Sequence, residues 1–186
     1  MVERIEAERP KKELERDVKK YADLLVDWGA SDAKVIEGDD VIIDMRVRAK
    51  CHYACSGFGE NINCPPYVFD LPQVEELVDA FRKAVLFKME VPSKLVAGDL
   101  SPEHDDEREK YALKRYELIG RLEQRAFDDG YYLAIGFSGG PCSEYLCSDS
   151  DCAALEGGQC RHPYLARPSM EAMGMDVYSM VANAGW

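Results

Sequence analysis

Residues 139–163, "GGPCSEYLCSDSDCAALEGGQCRHP", set four cysteines at positions 142, 147, 152 and 160. Residues 51–66, "CHYACSGFGENINCPP", set the other three of the chain's seven cysteines at 51, 55 and 64. Gly139, Gly140, Pro141, Gly157 and Gly158 punctuate the later group, and Pro65 and Pro66 follow Cys64 directly. Such residues permit the sharp turns that let thiols spread along a chain face one another. The fold is therefore expected to be organised around two cysteine loops, each fed by a regular element.

Working outward, "VIIDMRVRAK" (41–50) alternates Ile43, Met45 and Val47 with Asp44, Arg46 and Arg48, which predicts a strand that delivers the chain to Cys51. "AKVIE" before it predicts a partner strand across a turn at Gly38–Asp40. "YYLAIGFSGG" (131–140), apolar and ending in glycines, predicts a strand leading to Cys142. A fourth strand is expected at "AVLFKME", after a helix with Pro72 in its first turn and Val74, Leu77, Val78 and Phe81 facing inward. Leu14, Val18, Tyr21, Leu25 and Trp28 form the stripe of an opening helix that Gly29 ends. "VPSKLVAGDLSPEHDD" reads as a loop, and Ser101 with Pro102 starts a long helix running to about Asp129. After Pro168 two short helices are expected, the first stopped by Gly174 and the second capped by Asp176. The expected fold is a single α+β domain over residues 1–186, with a small sheet of about four strands, helices packed on it and a cysteine-rich metal-binding C-terminal part.

A chain of 186 residues buries roughly 70% of its unfolded surface without covalent staples, so the cysteines are not needed to rescue a small core. Hydrophobic residues at 46% and charged ones at 31% suit a folded soluble protein. "MVERIEAERPKKELERDVKK" is charged throughout, so no secretory leader is expected, and no apolar run is long enough for a membrane span. A cytoplasmic location follows, where disulfides are rare; seven thiols also cannot all pair. A net charge of −12 disfavours nucleic acid and anionic membranes as partners.

Thiolates that hold metal are the remaining reading. The spacings are C-x3-C-x8-C and C-x4-C-x4-C-x7-C, without the C-x2-C knuckle of zinc ribbons. Wide gaps suit a [4Fe–4S] cluster, whose corners accept separate cysteines, so Cys142, Cys147, Cys152 and Cys160 are expected to hold one; zinc is the alternative. Cys51, Cys55 and Cys64 give only three thiolates. They leave an open iron for Lewis-acid catalysis, borrow His52 or His162 as a fourth ligand, or join the other group at a shared site, so one or two clusters are expected. Arg161, His162 and Arg167 are placed to offset cluster charge. His104 reads as a surface residue, and Met170, Met173, Met175 and Met180 as core filling before pocket lining. No catalytic triad, phosphate loop or dinucleotide fingerprint is present; "GFSGG" lacks the lysine and helix that a phosphate loop needs.

"KCHYAC" leading to "CPP", then "GGPCSEYLC" through "CRHP" to "ARPSMEAMGMDVY", resembles domain of unknown function family 2284, predicted metal-binding proteins found largely in anaerobes. The likeness runs from about Ala49 to Gly185. It implies metal or iron–sulfur binding through Cys51, Cys55, Cys64, Cys142, Cys147, Cys152 and Cys160, and no particular reaction. The function expected is an iron–sulfur protein in electron transfer or redox chemistry, with a redox partner protein. An enzyme with an open-site cluster and a zinc-stabilised interaction module are the alternatives.

Overall fold

The computed structural model describes residues 9–96 and 102–186. The chain is α+β, with six α-helices and a two-stranded sheet among the described residues. It divides into two compact units, each built from two stretches of chain. One takes the residues up to Val35 with Val85–Gly136; the other takes Ile36–Ala84 with Phe137–Trp186.

In the first unit, helix α1 (Lys11–Asp27) buries Val18, Tyr21, Ala22 and Leu25, the stripe its sequence predicts. It ends at Trp28, and Gly29 follows with φ of 111°, a conformation that residues with a Cβ rarely adopt. Helix α4 (Asp105–Asp128) packs against α1, with Tyr116 and Leu118 fully buried. Its acidic first turn, Asp105 to Glu107, complements the positive N-terminal end of the helix dipole. Leu25, Ala30 and Leu118 form the centre of the core, flanked by Val85 and Phe87, which alternate onto one face of the strand Lys83–Lys88, and by Met89 just beyond it. Arg121 stacks 4.0 Å over the Trp28 ring. The predicted helix start at Ser101 lies outside the described residues.

Two acids at the edge of this core are held ionised. Asp17, 6% exposed, accepts from the Tyr131 hydroxyl at 2.8 Å and Arg16 Nε at 2.9 Å. Asp129 accepts from Lys20 at 2.9 Å, Arg125 at 3.0 Å and the Tyr21 hydroxyl at 3.1 Å. Burial works against their charge, yet these hydrogen bonds outweigh it and hold both carboxyls below the ordinary range. Because the folded values lie below the unfolded ones, the stabilisation is complete above about pH 5 and is lost as pH falls through about 4 and below. Asp129→Asn is expected to cost about 1–3 kcal/mol at pH 7 and to flatten the acid limb of stability, read from urea midpoints between about pH 3 and 7.

Strands β1 (Asp32–Glu37) and β2 (Lys83–Lys88) are antiparallel. Ser31 donates to the Lys88 carbonyl near one end, and Gly38 to the Arg82 carbonyl near the other. In the second unit, helix α3 (Leu71–Asp79) opens with a reciprocal cap in which Gln73 N–H donates to the Asp70 carboxylate and Asp70 N–H to the Gln73 side chain. Val74 is its fully buried anchor, and Pro72 sits in its first turn as expected.

The sheet has two strands where about four were expected. Residues 45–54 form helix α2 (Met45–Ala54): the Asp44 carboxylate caps the Arg46 N–H at 2.7 Å, and the methionine, alanine, lysine and arginines that follow are good helix formers. Residues 131–140 form turns and extended chain whose one ladder contact is a bridge between Ser138 and Ser169. Cys51 therefore rides on a helix, and Cys142 follows an extended segment. At the C-terminus α6 (Val177–Asn183) has the predicted cap, with Asp176 accepting from Ser179 N–H at 3.1 Å. The expected helix after Pro168 is instead a set of tight turns over 169–174.

Candidate metal centre

All seven cysteines lie in the second unit and all are free. The cysteine-rich region is thus not confined to the C-terminal part: the earlier group and the later one fold into the same unit. Its organiser is the turn segment 168–176. Asp44 N–H donates to the Gly174 carbonyl at 2.8 Å and Asp176 N–H to the Ile42 carbonyl at 2.8 Å, which fixes the start of α2. Ser138 N–H donates to Pro168 at 2.9 Å and Met170 N–H to Ser138 at 2.8 Å, which fixes the approach to Cys142. Met173, Met175 and Met180 are buried, as core filling requires.

Within each group the backbone turns at the cysteines themselves. The carbonyls of Cys55, Cys64, Cys142, Cys147 and Cys152 each accept an N–H from three or four residues on. Gly59, Gly140 and Gly157 take positive φ between them, at 78°, 74° and 85°. Helix α5 (Ser143–Leu146) is a single turn beginning after Cys142.

Cys142, Cys147, Cys152 and Cys160 line one small cavity, about 20 Å³, together with Asn61, Asn63, Ser143, Leu146 and Arg161. Cys142 and Cys64, the latter outside that lining, are buried against Asn61 at 7% and 8% exposed, whereas Cys55 is exposed. Asn61 is 1% exposed and uses every hydrogen-bonding position it has. Its amide nitrogen donates to Cys64 Sγ at 3.1 Å and Ser143 Oγ at 3.1 Å; its oxygen accepts from Asn63 N–H at 3.0 Å and Cys142 Sγ at 3.5 Å. Asn63 donates to Cys142 Sγ at 3.4 Å, and the His162 N–H to Cys160 Sγ at 3.4 Å.

Burial pushes the Cys64 thiol up to about 11, opposed by the Asn61 amide and reinforced by Cys142, Cys55 and Cys51. Burial also raises Cys142, where Cys147, Cys160 and Cys152 add to the effect, and raises Cys51, where Cys55 and Glu171 add to it. The sulfurs thus interact in two sets, 51–55–64 and 142–147–152–160, which meet at Cys64 and Cys142.

A sequence profile of the family described as predicted metal-binding protein (DUF2284) matches residues 34–186. The chain belongs to that family. No curated protein and no solved structure matches it.

The donor chemistry of this DUF2284 chain fits a thiolate-held metal or cluster. Four sulfurs share one cavity, and side-chain amides and a backbone N–H point at sulfur, the environment that stabilises thiolate once a cation has replaced the proton. Among the described residues no three His, Cys, Asp or Glu side chains gather closely enough to hold a single ion. No described helix is long and apolar enough to cross a membrane. His52 is exposed, with its ring edge-on to Tyr53 at 4.7 Å and Phe58 at 4.9 Å. Arg161 lines the cavity and donates to the Asp151 carbonyl at 2.5 Å, while Arg167 donates to the Pro163 and Ala166 carbonyls.

Asn61 and Asn63 line the cavity, and motif reading passes over them. Their signal was present in "ENINC": paired asparagines directly before a cysteine favour the short side-chain to backbone turns that position it.

Proposed function

We propose that this chain is a cytoplasmic iron–sulfur protein that exchanges electrons with a partner protein. Cys142, Cys147, Cys152 and Cys160 hold a [4Fe–4S] cluster, and Cys51, Cys55 and Cys64 form a second centre. The observation that carries the reading is the single cavity lined by all four cysteines of the later group. Their N–H···S contacts support it further, because hydrogen bonds to sulfur raise the potential of a cluster and favour its reduced form. Arg161 on the same cavity supplies positive charge against four thiolates in a chain of net charge −12. The cluster supplies a one-electron couple when bound; the protein's part is to hold the sulfurs, limit water at the buried ones and set the local charge.

The cavity lined by the later four cysteines does not include Cys51, Cys55 or Cys64, which favours two centres over one. Three thiolates leave a coordination position for a further ligand, which gives the second centre its capacity for chemistry beyond electron transfer.

Anaerobic purification followed by iron, sulfide and zinc analysis tests this directly. The expected result is a brown protein with iron and sulfide in equal amounts, about four of each per cluster, and visible absorption that bleaches on reduction. A colourless protein containing zinc without iron would make it a zinc-stabilised interaction module. Folded, metal-free material with its thiols oxidised in pairs would remove the metal reading altogether.

A further inference from the structure

We propose that Asn61 is the positioning residue for Cys142: its buried carboxamide ties the turn that carries Cys142 to the 61–64 loop, so that the loop of the earlier cysteine group shapes the cavity of the later one. This deepens the proposed function and rests on the reading that the four later cysteines hold metal.

Asn61 is 1% exposed, and a buried carboxamide is tolerated only where its donors and its acceptor are met. Half of its side-chain contacts are local. Its oxygen accepts from Asn63 N–H at 3.0 Å, and its amide nitrogen donates to Cys64 Sγ at 3.1 Å. Together with the Cys64 N–H, which donates to the Asn61 carbonyl at 3.0 Å, these close the loop on itself. A residue that only shaped a loop would stop there. The other two contacts reach 81 and 82 residues along the chain, where Cys142 Sγ lies 3.5 Å from the Asn61 oxygen and Ser143 Oγ lies 3.1 Å from its nitrogen.

Both ends of the tie are fixed. On the loop side, holding the Asn63 backbone lets the Asn63 amide donate to Cys142 Sγ at 3.4 Å, so two carboxamides of one loop converge on one sulfur. On the other side, Cys142 and Ser143 begin the turn in which Leu146 N–H donates to the Cys142 carbonyl at 2.9 Å, and Leu146 lines the same cavity as Cys147, Cys152 and Cys160. Cys142 is accordingly the buried sulfur of its group, 7% exposed, while the other three are part-exposed. A side chain that fixes a donor atom without being a ligand acts as the outer partners of metal ligands do, by holding that atom where a bound cation needs it.

The test uses the full-length chain prepared anaerobically, with Asn61→Asp, Ser143→Ala and Ser143→Thr beside it. Each is treated as isolated with iodoacetamide, and the labelling of every cysteine is timed by peptide mass spectrometry, with the exposed Cys55 as internal reference. Metal and sulfide content, resistance of the metal to a competing chelator and far-ultraviolet circular dichroism are read on the same preparations. Asn61→Asp keeps the shape and the acceptor oxygen but loses both donations, and Ser143→Ala loses only the tie across the chain. Both are expected to label Cys142 roughly 10-fold faster with Cys55 unchanged, and to release metal from the four-cysteine centre at chelator concentrations about 10- to 100-fold lower. Ser143→Thr, which keeps the hydroxyl, is expected to behave as wild type. A folded Asn61→Asp chain with wild-type Cys142 labelling overturns the proposal. Whether or not Asn61→Asp folds, Ser143→Ala with wild-type labelling overturns it, and so does a Ser143→Thr chain that labels as fast as Ser143→Ala. A wild-type chain that holds no metal overturns instead the reading of the four cysteines as ligands, and the labelling of Cys142 in it and in the variants still decides the tie.

Discussion

Cys142→Ser is expected to empty the four-cysteine centre, lowering its affinity for metal at least about 100-fold, while the metal of the three-cysteine centre is retained. Cys142 is the most buried sulfur of its group and receives the Asn63 amide at 3.4 Å. A serine oxygen there is shorter, harder and not ionised at neutral pH, so the cavity loses one of four soft anionic donors. Roughly half of the iron and sulfide is expected to disappear under anaerobic analysis, with the far-ultraviolet spectrum unchanged. Cys55→Ser supplies the reciprocal half. Loss of all metal from either variant would mean that the two groups serve one centre, and full retention in Cys142→Ser would exclude Cys142 as a ligand.

Gly38→Ala is expected to be the most destabilising single-methyl change away from the cysteines, by about 3 kcal/mol or more. A Cβ on Gly38 would lie 1.8 Å from the Phe81 carbonyl oxygen and 2.9 Å from its carbon. Both are main-chain atoms that cannot rotate aside. Gly38 N–H also donates to the Arg82 carbonyl at 3.0 Å, so the two segments cannot separate without breaking the end of the strand pair. For a chain of this size the expected fall in melting temperature is roughly 10 °C, read by circular dichroism of the purified protein. An unchanged melting temperature would mean that this close approach does not exist in solution.

The helices legible in the sequence are those whose apolar stripe is buried. Val18, Tyr21 and Leu25 in α1 and Val74 in α3 announce themselves by period and then disappear from solvent. The 41–50 stretch misleads because α2 buries nothing: with no core-facing stripe, alternation of Ile43, Met45 and Val47 carries no information about a sheet face. There the Asp44 cap and local helix propensity decide, a weaker signal that periodicity reasoning ranks second. The 131–140 stretch misleads for the opposite reason. Tyr132, Leu133 and Ile135 have strand-forming side chains, but they are 48%, 66% and 44% exposed, and the chain finds only one bridging partner, at Ser138. The cysteine groups were legible as two sets because spacing is local. Their meeting through Asn61 depends on a long-range pairing that no local pattern encodes.

Asn61 contacts Cys142 across 81 residues of chain, with the whole of β2 and α4 in between. During synthesis on a ribosome at about 5–20 residues per second, some 4–16 s pass between the emergence of the first sulfurs and the arrival of their neighbours. Through that interval the nascent polypeptide carries three unprotected thiols. Under the proposed function, metal loading therefore follows the arrival of the later cysteines, and cells starved of reductant during translation would oxidise the early triplet first.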